Sequence, residues 1–255
     1  GTPQTTVEIG SGWLTLRSSL DQNRAPIVEA TCDYASREYV RLHVPAHKGR
    51  SADRSMRSVA AMDLTEVGDL DDLHNPEGAI AEAQALAAAA FGADESFFLV
   101  NGVTVGLHAA IAALASGKRV LAPRNAHRSI VGALVLSGAT PVWVMPEYDR
   151  STGIAGGLSA TAVEAAFGSA PGSDPIAAAL VVHPTYHGVT GDTREIVDLC
   201  HARGVAVIAD EAHGAHFYYA DGYPPPALSC GVDIGVAGCH KSAGAFTQGA
   251  VLNVR

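Results

Sequence analysis

The sequence predicts an α/β fold, a seven-stranded, mostly parallel sheet with helices on both faces. Three observations carry this. Short apolar runs alternate with helical stretches along most of the chain. Those runs are apolar nearly throughout, as strands covered on both faces require. Hydrophobic residues make up 47% of the 255 residues against 17% charged, enough for one large buried core.

Taken in order, residues 1–60 are irregular, with scattered charge and one helix expected around Pro26–Tyr39. They read as an N-terminal arm that needs another surface to rest on, leaving 61–255 as the main domain. Asn75-Pro76-Glu77 reads as an N-cap, a proline at the first helical position and an acid in the first turn, ahead of an Ala-rich helix Gly78–Phe91. Strands are expected at Ser96–Val100, Arg119–Pro123, Pro141–Met145, Ala178–His183, Val205–Asp210, Asp233–Ala237 and Ala250–Val254. Helices are expected at Thr104–Ala115, Ser129–Ser137, Ser159–Phe167 and Thr193–Arg203. A shorter link, Cys239–Gly249, joins the last two strands. Pro171–Pro175 and Tyr223–Pro226 read as surface turns. No internal repeat is present.

Charge and cysteine usage narrow the function classes. A formal net charge of −9 argues against a nucleic-acid or acidic-membrane partner. Cys32, Cys200, Cys230 and Cys239 have no C-x-x-C spacing and read as reduced thiols of a cytoplasmic protein. No apolar run is long enough for a membrane helix, and no signal peptide is read at the start, where Gly stands in place of Met. No His-x-x-x-His pair or Cys/His knuckle suggests a metal.

In open α/β sheets ligands bind beyond the carboxyl ends of the strands, and the polar residues of interest fall there. Asn101-Gly102-Val103-Thr104 follows the first strand and turns into a helix, where free amides and the Thr104 hydroxyl suit a phosphate. Asn125-Ala126-His127 follows the second strand, placing an imidazole that suits stacking on an aromatic ring. His183-Pro184-Thr185-Tyr186 follows the fourth, Asp210, Ala212 and His213 the fifth, and His240-Lys241 the sixth. Singly, each has an ordinary reading: a helix start, a cap, a solvated lysine. Together, a lysine and an aspartate ending neighbouring strands match what pyridoxal 5′-phosphate (PLP) chemistry needs, an amine for the aldehyde and an acid for the pyridine nitrogen. Competing motifs fail. Asp210-Glu211-Ala212-His213 lacks the phosphate loop of a helicase, no G-x-G-x-x-G is present, and Ala227-Leu228-Ser229-Cys230-Gly231 lacks the first Gly of a nucleophile elbow.

Several strings resemble the Orn/Lys/Arg decarboxylase family in order. Leu42-His43-Val44-Pro45-Ala46-His47-Lys48-Gly49 is similar to its VPGHKG string. Asp63-Leu64-Thr65-Glu66, Leu70–Gly78, Phe97–Gly102, Pro123–Ser129, His183–Tyr186, Asp210–His216, His240-Lys241 and Thr247-Gln248 continue the likeness to the last residue. The resemblance implies the aspartate-aminotransferase-like fold (PLP fold type I), a homodimer or larger assembly, and decarboxylation of arginine, lysine or ornithine. It implies that Lys241 forms the internal aldimine, Asp210 pairs with the pyridine nitrogen, and His127 and Ala212 cover the two ring faces. Thr104 and the amides of Gly102 and Val103 would hold the phosphate. His240 would serve the substrate carboxylate and return a proton to Cα, and His213 completes the implied cofactor contacts.

The sequence departs from that pattern. Val103 and Gly238-Cys239 stand where the family has hydroxyl side chains that donate to the phosphate; each lost donor costs about 1–3 kcal/mol if the oxygen stays unpaired. Ala46 replaces a Gly, and Ser242-Ala243-Gly244-Ala245 is unusually small. The family's C-terminal small domain is absent from these 255 residues, which leaves a fragment, a split subunit or a degenerate domain open. Two other readings stand beside the decarboxylase: another fold type I reaction (aminotransferase, lyase or oxidase), and a non-catalytic partner subunit.

Overall fold

The computed structural model describes residues 20–68, 70–169 and 174–255. Part of the expected arm, residues 1–19, and most of the expected turn at Pro171–Pro175 lie outside the described residues. The chain divides into two compact units between Ala90 and Phe91.

In the first unit, helix α1 (Pro26–Ser36) starts on its proline, and Glu29 accepts the Ala25 amide at 2.8 Å. It ends short of Tyr39 because Arg37 is already extended and the chain folds back. The Tyr39 ring lies 5.5 Å from that of Tyr34, and the Tyr34 hydroxyl meets His43 Nε2 at 2.8 Å. A 3-10 turn, Arg54–Met56, leads into α2 (Arg57–Met62), too short to leave a periodic signal. Helix α3 (Ala79–Phe91) begins after Pro76, not on it. Its cap is Asp71 rather than Asn75: the Asp71 carboxylate accepts the amides of Glu77, Gly78, Ile80 and Ala81 at 2.8–3.2 Å. The loop from Asp71 to Gly78 wraps round that carboxylate and offers it more donors than a residue adjacent to proline can reach.

The second unit runs β1 (Glu95–Leu99), α4 (Gly102–Ala115), β2 (Arg119–Pro123), α5 (Arg128–Ser137), β3 (Thr140–Val144), β4 (Tyr148–Asp149), β5 (Ile154–Ala155), α6 (Ala160–Ser169), β6 (Ile176–Val182), α7 (Thr193–His201), β7 (Ala206–Glu211), α8 (Ala227–Cys230), β8 (Ile234–Ala237), α9 (Cys239–Ser242) and β9 (Ala250–Val254). Seven strands form one sheet in the order β1-β9-β8-β7-β6-β2-β3, and β4 and β5 form a separate ribbon. Only β9 runs against its neighbours, β1 and β8. The other pairs are parallel. Six strands therefore bring their carboxyl ends to one edge, and reversal at β9 explains the short link after β8. Ribbon β4–β5 has two residues per strand, below what alternation can reveal.

Side chains alternate across the sheet. On β7, Val207 and Ala209 pack with Val163 and Ile196 on one face, while Ile208 packs with Leu107 and Ile130 on the other. Asp210 continues the face of Ile208, toward α4 and α5, and Glu211 continues the opposite face. Among the described residues no helix is long and apolar enough to cross a membrane, and no group of three or more His, Cys, Asp or Glu is placed to hold a metal.

Candidate active site

A cavity of about 470 Å³ opens at the carboxyl ends of β1, β2, β6, β7 and β8. All nine site residues expected from sequence line it: Gly102, Val103, Thr104, His127, Asp210, Ala212, His213, His240 and Lys241.

The wall at α4 exists because Gly102, at φ 68°, turns the chain from β1 directly into the helix. The first-turn amides of a helix have no partner within it and carry the positive end of its dipole. Val103 also lines the cavity but is mostly buried in the core between α4 and the sheet. Opposite Gly102 stand Gln248 and His240: a Cβ on Gly102 would sit 3.6 Å from Gln248 Cβ and 4.0 Å from His240 Cε1.

Asp210 forms the floor. It is 3% exposed, and its Oδ1 accepts the Ala212 amide at 3.0 Å. Burial pushes its carboxyl above the usual range; the Ala212 amide and the charges of Lys241 and His127 pull the other way. A cationic ring nitrogen is the partner that would remove this penalty.

Three histidines surround the floor, each held differently. His127 is the N-cap of α5. Its Nδ1 accepts the Ser129 amide at 3.2 Å and meets the Ser129 hydroxyl at 2.9 Å, leaving the proton of the neutral ring on Nε2. His240 donates from Nδ1 to the Gly249 carbonyl at 3.0 Å, leaving Nε2 free. His213 Nε2 lies 3.2 Å from Lys241 Nζ. Burial first, then the charges of Lys241, His127 and His240, lower the pKa of His213. Four basic side chains thus converge on one buried carboxylate, and this corner of an acidic chain suits anions.

Other residues at the strand ends go elsewhere. His183 is buried away from the cavity, where its Nδ1 accepts from the Thr193 hydroxyl at 2.9 Å and its Nε2 donates to the Pro225 carbonyl at 2.8 Å. Burial lowers its pKa, as suits a neutral structural ring. From the same string Tyr186 does reach the cavity. Cys239 packs against the core under the sheet and does not line the cavity. Asn125, Ser129 and Gln248 line it as well, though none had an assigned role from sequence. Asn125 and Ser129 follow the end of β2, whereas Gln248 precedes β9, whose reversed course brings its amino end to the same edge.

Comparison with known proteins agrees with this architecture. A family model described as Orn/Lys/Arg decarboxylase, major domain, matches residues 25–255. Arginine decarboxylase of Halalkalibacterium halodurans is 41% identical over 241 residues, covering 92% of this chain and 48% of that protein. Arginine decarboxylase of Bacillus subtilis is 38% identical over 243 residues, covering 92% of this chain and 49% of that protein. The chain thus spans about half the length of the curated relatives it matches. Lysine decarboxylase A from Pseudomonas aeruginosa shares the fold, with a TM-score of 0.76 at 23% identity over 95% of this chain and 36% of that one. With this fold, these strand-end residues and these relatives, the chain belongs to the Orn/Lys/Arg decarboxylase family, of which it carries the major domain.

Proposed function

We propose that the chain binds PLP in the cavity and decarboxylates a basic amino acid, arginine, lysine or ornithine, to the corresponding amine. The observation that carries this reading is that Lys241 and Asp210 line one cavity together with the N-terminal turn of α4. The donor set fits the group. Lys241 offers the amine that an aldehyde needs, Asp210 the buried carboxylate that a pyridine nitrogen needs, and the first turn of α4 the amides that a phosphate needs.

Lys241 would hold the cofactor through Nζ. Asp210 would pair with the ring nitrogen, and that ion pair would relieve the burial of its carboxylate. His127 and Ala212 would cover the ring. The amides of Gly102 and Val103 and the Thr104 hydroxyl would hold the phosphate, while His213 would close the wall at Lys241. His240, anchored through Nδ1, would donate to the substrate carboxylate and supply a proton to Cα from Nε2 when its ring is protonated on both nitrogens. When bound, PLP supplies the electron sink for the broken bond.

The same reading takes 1–60 as an arm, 61–255 as the cofactor domain and the working form as a cytoplasmic homodimer or larger assembly. Val40 and Leu42, 86% and 85% exposed, are the apolar surface that supports an arm resting on a partner. Free Cys32, Cys200, Cys230 and Cys239 support a reducing compartment.

The test is an absorption titration of the purified chain with PLP, with borohydride trapping and Lys241→Ala alongside. CO₂ release from arginine, lysine and ornithine and light scattering for assembly follow. The expected result is a PLP adduct trapped on Lys241 and CO₂ release from one of the three. An adduct equally strong in Lys241→Ala, or none at all, would sink the reading.

A further inference from the structure

Lys241 Nζ has one ring nitrogen within hydrogen-bond distance among the described residues, His213 Nε2 at 3.2 Å. The other two histidines of the cavity are tied through Nδ1, His127 to Ser129 and His240 to the Gly249 carbonyl. With Nζ as the donor of this bond, His213 Nε2 is its acceptor and the ring proton sits on Nδ1. The ring is also held from the solvent side. The Tyr186 ring meets it edge-on, 5.4 Å between centroids and 88° between planes.

We propose that His213 is a catalytic proton carrier for Lys241: its Nε2 takes the proton that the Lys241 amine sheds on bonding to an aldehyde carbon. The inference rests on the cofactor reading only in requiring that an aldehyde reach Lys241. As the Nζ lone pair forms the N–C bond, the carbonyl π pair moves to oxygen and Nζ becomes positive. One N–H proton passes to His213 Nε2. The imidazolium returns that proton to the oxygen; the second N–H proton follows by the same route, so the oxygen leaves as water while the C=N bond forms. Amine and aldehyde give C=N and water, and His213 ends unchanged.

The groups facing His213 suit this use. They are Asp210 from β7, His127 from the cap of α5, His240 and Lys241 from α9, and Tyr186 from the loop after β6. Burial and the three basic neighbours lower the pKa of the imidazole and so favour the neutral ring, in which Nε2 can receive a proton. A role limited to packing would require neither the bond to Nζ nor this polarity.

The test uses the cofactor-free chain and salicylaldehyde, an aromatic aldehyde with neither phosphate nor pyridine nitrogen. The rate of C=N absorbance is measured, and the signal left in Lys241→Ala is subtracted. His213→Gln keeps an acceptor but cannot carry a proton, so capture at Lys241 should slow roughly 10- to 100-fold. His213→Gly should slow similarly and recover as imidazole is added, while capture by Lys48 and Lys118 stays constant. Circular dichroism on both variants separates slowing from misfolding, and His213→Gln alone decides if the glycine variant does not fold. Wild-type rates in His213→Gln, slowing of a folded His213→Gly that imidazole does not reverse, or no Lys241-dependent capture in wild type would each overturn the proposal. A parallel PLP run separates the two readings. Imidazole-dependent capture of salicylaldehyde without any PLP adduct would leave this inference standing and remove the cofactor.

Discussion

The carbonyl oxygen of Ala212 occupies the space in which a side chain on Gly238 would begin. A Cβ built on Gly238 overlaps it, and the Gly238 amide donates to the Glu211 carbonyl at 3.3 Å. The ends of β7 and β8 are therefore drawn together at the position where the sequence resemblance leads to the expectation of a hydroxyl side chain. Loss of that hydroxyl is a backbone feature, and restoring it means separating two strand ends. Gly238→Ser should destabilise the fold by about 1–3 kcal/mol without tightening PLP. Thermal unfolding and a PLP titration check this, and a serine variant as stable as wild type would contradict the overlap.

Glu211 lies on the opposite face of β7 from Asp210 and is wholly buried. Its Oε2 accepts the Tyr218 hydroxyl at 2.7 Å, and its Oε1 accepts the Ala227 amide at 2.9 Å. Burial pushes its carboxyl from the ordinary 4.5 up to about 7. The folded state then holds a proton that the unfolded chain has released. Below about pH 4.5 both forms are protonated and the residue is neutral in the balance. Between there and about pH 7 it withdraws stability, to roughly 3 kcal/mol above that range. Denaturation at a series of pH values should show stability falling over this window. Glu211→Gln should remove that part of the slope; an unchanged slope would show that Glu211 is not its source.

Asp210 separates stability from function. Without a cationic partner its burial opposes ionisation, so Asp210→Asn keeps the shape and removes the penalty. The cofactor-free variant should melt at or above the wild-type temperature. Its PLP affinity and any decarboxylation should fall, activity by about a hundredfold or more, because a neutral amide cannot hold a ring nitrogen protonated. A lower melting temperature together with full activity would reverse the assignment.

The strands and the cavity were legible because both follow from local rules. Apolar runs located all seven strands of the sheet, with β2 and β9 at their observed limits. The rule that ligands sit at carboxyl strand ends gathered nine residues into one cavity. What escaped depended on contacts across the chain. His183 has the composition and position of a site residue, yet Thr193 and Pro225 draw it into the core. The bond between His213 and Lys241 joins residues 28 apart, and only the fold brings them together. The direction of Cys239, into the core rather than the cavity, is set by a four-residue helix too short to leave a pattern.

The cap of α3 gives the sharpest contrast between the sequence expectation and the fold. Asn75 precedes Pro76 in the usual capping order, but Asp71 receives the amides of Glu77, Gly78, Ile80 and Ala81. Although burial acts against it, the amides of Glu77, Gly78, Ala81 and Asp72 hold the Asp71 carboxyl down at about 2. A depressed carboxyl contributes its full stabilisation above the ordinary 3.8 and loses it as pH falls toward 2. Asp71→Ala should cost about 1–2 kcal/mol at neutral pH, with faster amide exchange at Ile80 and Ala81, and that cost should shrink in acid. Asn75→Ala removes only an exposed contact to Glu77 and should stay within about 0.5 kcal/mol of wild type. If the two substitutions changed places in a denaturation series, the cap would belong to Asn75, and the loop from Asp71 to Gly78 would have no reason to close round the carboxylate.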